Sequence, residues 1–390
     1  AVFTGCGSSS DSTSDDSAVA GKKGTENNTG EEDSSEGDKE KLTFWDFHTG
    51  TEADVIQDMV NAYNQSQDKV KVEYSSVNQT DYTTTLVTTA YANGECPDIL
   101  WVEPATFKKF SDAEMLADLS SYYTDDLKKD ILPSFLEAAS GDDGKIYTLP
   151  FECETLGLFY DADALEEEGI EPPKTWEELK SAAEKLTTKD RYGIVLPVEK
   201  TAYTLFNWWP FMWMDDADIY DADGNVTAGK DSMADALDFW GSFYQNEYCP
   251  SSLQNGPWSI DNVANGVAAM QIGGTYMINA AEEYNKDGHN IGVPLPSPKG
   301  KDPVTVAGGQ MMAVSSQSKD VDAAADFIFW CFGSDDTTYV TKWCTEAKFA
   351  YPARQSVIEE NKELFQEGMK AIFTEFYDTA RPEPQYSSEV

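Results

Sequence analysis

Arginine is almost missing from this chain, with Arg191, Arg354 and Arg381 the only three in 390 residues. Because arginine is the side chain best suited to bidentate capture of carboxylate or phosphate, strongly anionic ligands are disfavoured. Lysine does not make up the deficit: 28 Lys plus Arg face 70 Asp plus Glu, a formal charge of −42. That field repels nucleic-acid phosphates and anionic lipid headgroups, and no local basic patch offsets it, so nucleic acid is excluded as a partner. Histidine is scarcer still. His48 and His289 are the only two, and lone histidines in polar surroundings are more often structural or solvated than catalytic. Walker-type phosphate loops, G-x-S-x-G elbows and H-E-x-x-H pairs are all absent. No apolar run reaches the roughly 18 residues that a membrane-spanning helix needs.

Cysteine and metal chemistry are equally thin. Besides Cys6 there are Cys96, Cys153, Cys249, Cys331 and Cys344; five thiols cannot all pair, and none has zinc-site spacing. Cys331 and Cys344 could join outside the cell, but buried free thiols are the expected state. The acidic stretch Tyr220 to Asn225 fails as a calcium loop, because Ile219 and Lys230 would occupy its first and last ligand positions, and Asp223-Gly224 is expected to be a surface hairpin turn. Neither a metal nor a cofactor is expected.

What the chain does have is a 40% apolar content, enough for a sizeable core, and a length that suggests two domains. Ten Trp, 19 Tyr and 19 Phe supply rings that can cover flat apolar ligand faces. At the start, Ala1 to Cys6 reads as the tail of an export segment, and residues 7–40 are almost wholly small, polar and acidic, an unpackable tether. At the other end, Arg381 to Tyr386 is stiff and proline-punctuated, and a truncation is expected there.

Between these ends the periodicity predicts a strand at 41–46, a helix at 52–65, a strand at 69–74, a helix at 81–93 and a strand at 97–102. This βαβαβ order implies a parallel sheet, with Asp46 to Thr49 and Glu103 at the strand ends where ligands bind. A second unit follows Phe151. Thr175 and Glu178 form a capping-box pattern ahead of Leu179, and a short helix at 260–265, closed by Gly266, leads into a strand at 267–272. Glu152 and Glu154, two apart on one strand face, could be the acid and nucleophile of a glycosidase or simply accept hydrogen bonds from hydroxyls. Trp208 and Trp209 are adjacent and precede Pro210, so at least one is expected to be exposed in a loop as a binding surface.

Several segments together resemble the extracellular solute-binding proteins of bacterial sugar-importing ABC transporters, the group that includes maltose-binding protein. They are Cys96 to Trp101, Gly144 to Tyr147 with Leu149 to Phe151, Gly157 to Asp163, Pro173 to Leu179, Gly266 to Met270 with Gly273 to Tyr276, Pro294 to Gly300, Val306 to Gly309 and Tyr351 to Arg354. The resemblance covers Lys41 to Tyr386. It implies an α/β fold of the two-lobed periplasmic-binding-protein type (type II) with three interlobe crossovers, near 151–155, 271–275 and 313–316. Lobe 1 would be 41–151 with 274–313, and lobe 2 would be 155–270 with 317–390.

The resemblance also implies a non-enzymatic sugar receptor that closes by a hinge and serves the transmembrane subunits of an ABC permease. By position its binding residues would be His48, Thr49, Tyr82, Trp101, Glu103, Glu152, Glu154, Trp208, Trp209, Tyr276, Gln310, Tyr351 and Arg354; many relatives carry Trp where Tyr276 and Gln310 stand. Ala1 to Cys6 resembles a lipobox, with Phe3 in the usual place of Leu, so Cys6 would carry a lipid anchor. The expected form is a monomer on the outer face of a Gram-positive cell membrane. A receptor for a polyamine or peptide, a cell-surface glycosidase and a structural adhesin are the alternatives.

Overall fold

The computed structural model describes residues 39–385 apart from 78–81, 83–86, 222–224, 230, 288, 289, 294 and 378. Cys6, residues 7–38 of the expected 7–40 tether, Asp223-Gly224, His289, Pro294 and Tyr386 therefore lie outside the described residues, and the end of that tether is corrected, since Glu40 already opens the first strand.

Strand β1 (Glu40–Asp46) is followed by the Thr51–Ser66 helix, whose Val55, Ile56, Met59, Val60 and Tyr63 form its buried face. Strands β2 (Val70–Ser76) and β3 (Ile99–Val102) then pair with β1 in parallel on either side. The alternation of Lys69 to Tyr74 becomes a half-buried edge strand, whereas all four residues of β3 are buried because that strand is covered on both faces. Strand β4 (Thr148–Pro150) completes this first sheet from its far edge.

Beyond β4 the chain crosses to a second sheet through β5 (Glu152–Cys153) into β6 (Leu156–Asp161). Thr175 and Glu178 make the expected capping box at the start of the Trp176–Leu186 helix. Strands β7 (Tyr192–Val195), β8 (Ala268–Gly274) and β9 (Asn290–Val293) build the four-stranded order β7-β8-β6-β9. Gly266, at φ 70°, closes the short Asp261–Ala264 helix before β8.

The lobe boundaries differ from those expected. Strands β8 and β9 flank β6 antiparallel, which keeps 268–293 in the second sheet, so no crossover falls at 271–275. The return comes later, between β10 (Thr305–Ala307) and β11 (Met311–Val314), which inserts antiparallel between β3 and β4. Nor does the chain leave the first lobe at 313–316: the Val321–Phe332 helix and residues through Ala347 pack in the first core. The third passage begins at Phe349, in a separate apolar cluster with Phe159, Phe365 and Phe373, while Val357 still packs in the first core. Strand β12 (Tyr351–Pro352) pairs with β5, and β13 (Ala380–Pro382) pairs with β10. The molecule is thus two α/β lobes joined by three passages, and these lie side by side, since Glu154 bridges Gly308 and Cys153 pairs with Tyr351.

The aromatic run 206–213 was expected to break into a loop. Instead Ala202–Met214 is a continuous helix with Pro210 inside it, and every residue from Phe206 to Met214 is buried. A helix apolar on all sides is stable when surrounded, and that surrounding packing offsets the hydrogen bond lost at proline. All five described cysteines are free thiols, with Cys153, Cys249, Cys331 and Cys344 buried.

Candidate functional site

A cleft of about 220 Å³, open to solvent at its mouth, lies where the passages meet. One wall comes from strand ends of the first lobe. Beyond β1, Phe47, His48 and Thr49 turn at Gly50, whose φ of 59° favours glycine, into a helix whose first turn carries Glu52. Beyond β3, Glu103 is the residue before the Pro104–Asp112 helix, extended at ψ 146° as the position preceding proline favours. The facing wall carries rings: Tyr203 and Phe206 from the Ala202–Met214 helix, Trp258 from a loop, and Tyr276 just beyond β8. Tyr203 and Tyr276 share a hydroxyl hydrogen bond of 2.5 Å, and Tyr203 also meets Trp258 edge-on at 5.8 Å.

The floor is a buried charge network. Lys348, 3% exposed, donates to Glu154 Oε1 at 2.5 Å and Glu152 Oε1 at 3.1 Å, with Glu52 Oε1 at 3.8 Å. Burial pulls the lysine's pKa down, but Glu152, Glu154 and Glu52 together push it up further, so the amine is held as a cation. Glu152 also accepts from Trp343 Nε1 at 2.6 Å and from the Gln310 backbone N–H at 3.0 Å. That second bond needs glycine next door, because at Gly309, with φ +121°, a Cβ would sit 2.8 Å from the Glu152 carbonyl oxygen. A π-helical turn at Trp343–Ala347 brings Trp343 and Lys348 to the same place, and the Lys348 amine lies 5.2 Å from the Trp343 ring centroid.

His48 is fastened to a second buried acid. Its Nδ1 lies 2.6 Å from Asp46 Oδ1, and Asp46 also accepts from Tyr74 Oη at 2.7 Å. Burial lowers the pKa of His48, but Glu52 and Asp46 raise it more, giving a net upward shift. Glu103 is pushed up to about 7 by burial and by Glu154, against His48. Glu383, beside β13, is driven well above the carboxylate range by burial and then by Glu103 and Glu154. Among the described residues, no group of three His, Cys, Asp or Glu could hold a metal ion.

Of the residues expected at the site, His48, Thr49, Glu103, Glu154, Tyr276 and Gln310 line this cleft. Others do not. Trp101, 2% exposed, lies on the doubly covered β3, stacked 5.4 Å from Trp343 in the first core. Tyr82 is buried there as well, donating from its hydroxyl to the Trp45 carbonyl. Glu152 lies beneath the cleft with its oxygens already occupied, so Glu152 and Glu154 do not form an open carboxylate pair. Trp208 and Trp209 pack in the second core, and Tyr351 packs 5.1 Å from Phe365 in the third cluster. Arg354 anchors Asp130 at 2.7 Å and donates to the Phe332 and Ser334 carbonyls.

Sequence reading missed Glu52, Tyr203, Phe206, Trp258, Lys348 and Glu383. The lone lysine among Trp343, Cys344, Ala347, Phe349 and Ala350 was a readable signal, since a cation in an apolar run needs buried partners.

A family model described as "Bacterial extracellular solute-binding protein" matches residues 58–371. A putative ABC transporter periplasmic-binding protein, YcjN of Escherichia coli, is 23% identical over 77% of this chain and 71% of its own length. The arabinooligosaccharide-binding protein of Bacillus subtilis is 25% identical over 78% of this chain and 72% of its own. Among solved structures, the GacH receptor of Streptomyces glaucescens, described unliganded and with acarbose, superimposes at a TM-score of 0.75 with 23% identity, covering 89% of this chain and 88% of that one. With its two lobes, three passages and a cleft between them, the chain belongs to the bacterial extracellular solute-binding protein family.

Proposed function

We propose that this protein is the extracytoplasmic carbohydrate-binding component of an ABC importer, which captures a mono- or oligosaccharide between its lobes and hands it unaltered to the permease. One observation carries the reading: a cleft with polar groups on its floor and first wall (His48, Glu103, Glu154, Gln310) faces phenol, phenyl and indole rings on the other (Tyr203, Phe206, Trp258, Tyr276). Ring faces cover sugar C–H surfaces while carboxylates and amides take hydroxyl hydrogen bonds. Thr49 and Glu52 complete the first wall. Relatives named for arabinooligosaccharide binding and a neighbour solved with mannobiose support the same ligand class.

A ligand touching both walls favours the closed arrangement over the open one, the differential affinity that hinge closure needs. At the membrane, Cys6 on its lipobox-like stretch would carry the lipid anchor of a monomeric receptor on a Gram-positive cell, and residues 7–38 would be its tether. Calorimetry against neutral mono- and oligosaccharides, with scattering before and after addition, tests the proposal. Heat of binding and a smaller radius of gyration are expected with at least one sugar; no response to any sugar would refute it. New reducing ends from an incubated oligosaccharide would instead make the protein a glycosidase.

A further inference from the structure

Four carboxyl side chains line the cleft: Glu52, Glu103, Glu154 and Glu383. Two basic groups share it, Lys348 and His48, and both are already engaged. Lys348 is held by Glu152 and Glu154 with Glu52 nearby, and His48 is held by Asp46. That leaves Glu103 and Glu383. Among the described residues neither carboxyl has a hydrogen-bond donor or an ion-pair partner, although Glu383 is only 9% exposed. The position of Glu383 is built, since its backbone N–H donates to the Ala307 carbonyl at 3.0 Å, which pins it beside the 308–310 passage. Burial, Glu103 and Glu154 all raise the cost of ionising Glu383, and burial and Glu154 do the same at Glu103.

Glu383 is buried and Glu103 partly so; a carboxyl at the edge of a ligand cleft with no donor from the protein is matched when the ligand brings one. A hydroxyl brings a proton without charge, whereas an ammonium brings three donors and the missing positive charge. A metal cation does not fit, because no described group of three acidic, thiol or imidazole side chains could hold one. The rings of Tyr203, Trp258 and Tyr276 add faces that attract a cation as well as sugar C–H surfaces.

We propose that the ligand of this cleft is an amino sugar or an aminated oligosaccharide, whose ammonium group sits between Glu103 and Glu383. This rests on the carbohydrate reading above and narrows it. The test is calorimetry in low-salt, near-neutral buffer on sugar pairs that differ only by amine for hydroxyl: glucosamine and glucose, galactosamine and galactose, mannosamine and mannose, β-1,4-linked diglucosamine and cellobiose. In at least one pair the amine should bind about tenfold more tightly. That ratio should collapse towards one in Glu383→Gln and in Glu103→Gln. A ratio taken within one variant cancels any general loss of folded protein, and having two variants guards against one that does not fold.

Equal or tighter binding of the neutral member in every pair that binds overturns the amine proposal and leaves the carbohydrate reading standing. An amine preference that survives both substitutions overturns the seat assigned to it. Failure of every sugar, neutral ones included, overturns both readings.

Discussion

Lys348→Met removes the only ammonium from a floor that holds Glu152 and Glu154 within 3.1 Å of it and Glu52 at 3.8 Å. Methionine keeps much of the length and apolar contact of the stem, so the loss is chiefly the charge. Deleting one partner of a buried pair costs about 3–5 kcal/mol, because the other partner is left uncompensated away from water. The low end is expected here, since Glu152 keeps its bonds from Trp343 Nε1 and the Gln310 N–H. An unfolding entropy of about 2.1 cal/mol/K per residue gives roughly 0.8 kcal/mol/K for a chain of this size, so Tm should fall by about 4–6 °C.

The pH dependence gives a second, signed readout. Burial raises the Glu152 carboxyl above its ordinary value, opposed by Lys348. Without the lysine the opposition disappears. A carboxyl raised in the folded state contributes stability that is present in acid and lost as pH rises past its unfolded value. The variant's deficit, measured by calorimetric melting, should therefore widen from acid to neutral pH. Adding Glu152→Gln should recover part of the loss, as expected for directly coupled residues. A variant melting within a degree of the parent at neutral pH, or one whose deficit grows towards acid, would refute the network described here.

Further outcomes follow from other parts of the fold. Trp258→Ala should weaken sugar binding about tenfold by titration fluorescence while leaving Tm nearly unchanged, because the indole is 37% exposed and faces the cleft. Arg354→Ala should do the reverse: about 2–4 kcal/mol lost in denaturant melts and no change in ligand affinity, since the guanidinium ties Asp130 to the Phe332 and Ser334 carbonyls. Glu103 has a carboxyl near 7 against an ordinary 4.5, so it makes the parent less stable as pH rises through that window; Glu103→Gln should flatten stability over pH 5–8, and an unchanged slope would contradict the assignment. His48, held up by Glu52 and Asp46 against burial, should keep its proton above the ordinary imidazole range in a nuclear magnetic resonance titration assigned with His48→Gln.

The Thr51–Ser66 helix and strand β2 were legible because each is amphipathic at its own period: residues 55 to 63 at helical spacing, 70 to 74 at strand spacing. The capping box at Thr175 and the left-handed Gly266 were legible for a similar reason, being set by neighbours a few residues away. His48 and Glu103 could be placed at a ligand cleft because a parallel sheet presents its strand ends there. Trp101 misled, since strand-end position does not say what covers a ring; the covering partner is Trp343, more than two hundred residues away.

Local periodicity, capping and composition settle within a few residues, and from them come the elements, the acidic balance and the expectation against strongly anionic ligands. Which tryptophans are core, where the chain changes lobe, and that Lys348 meets Glu152 and Glu154 depend on contacts nearly two hundred residues apart in the chain. Such contacts form only when both sheets and the passages between them are in place, and no local pattern encodes them.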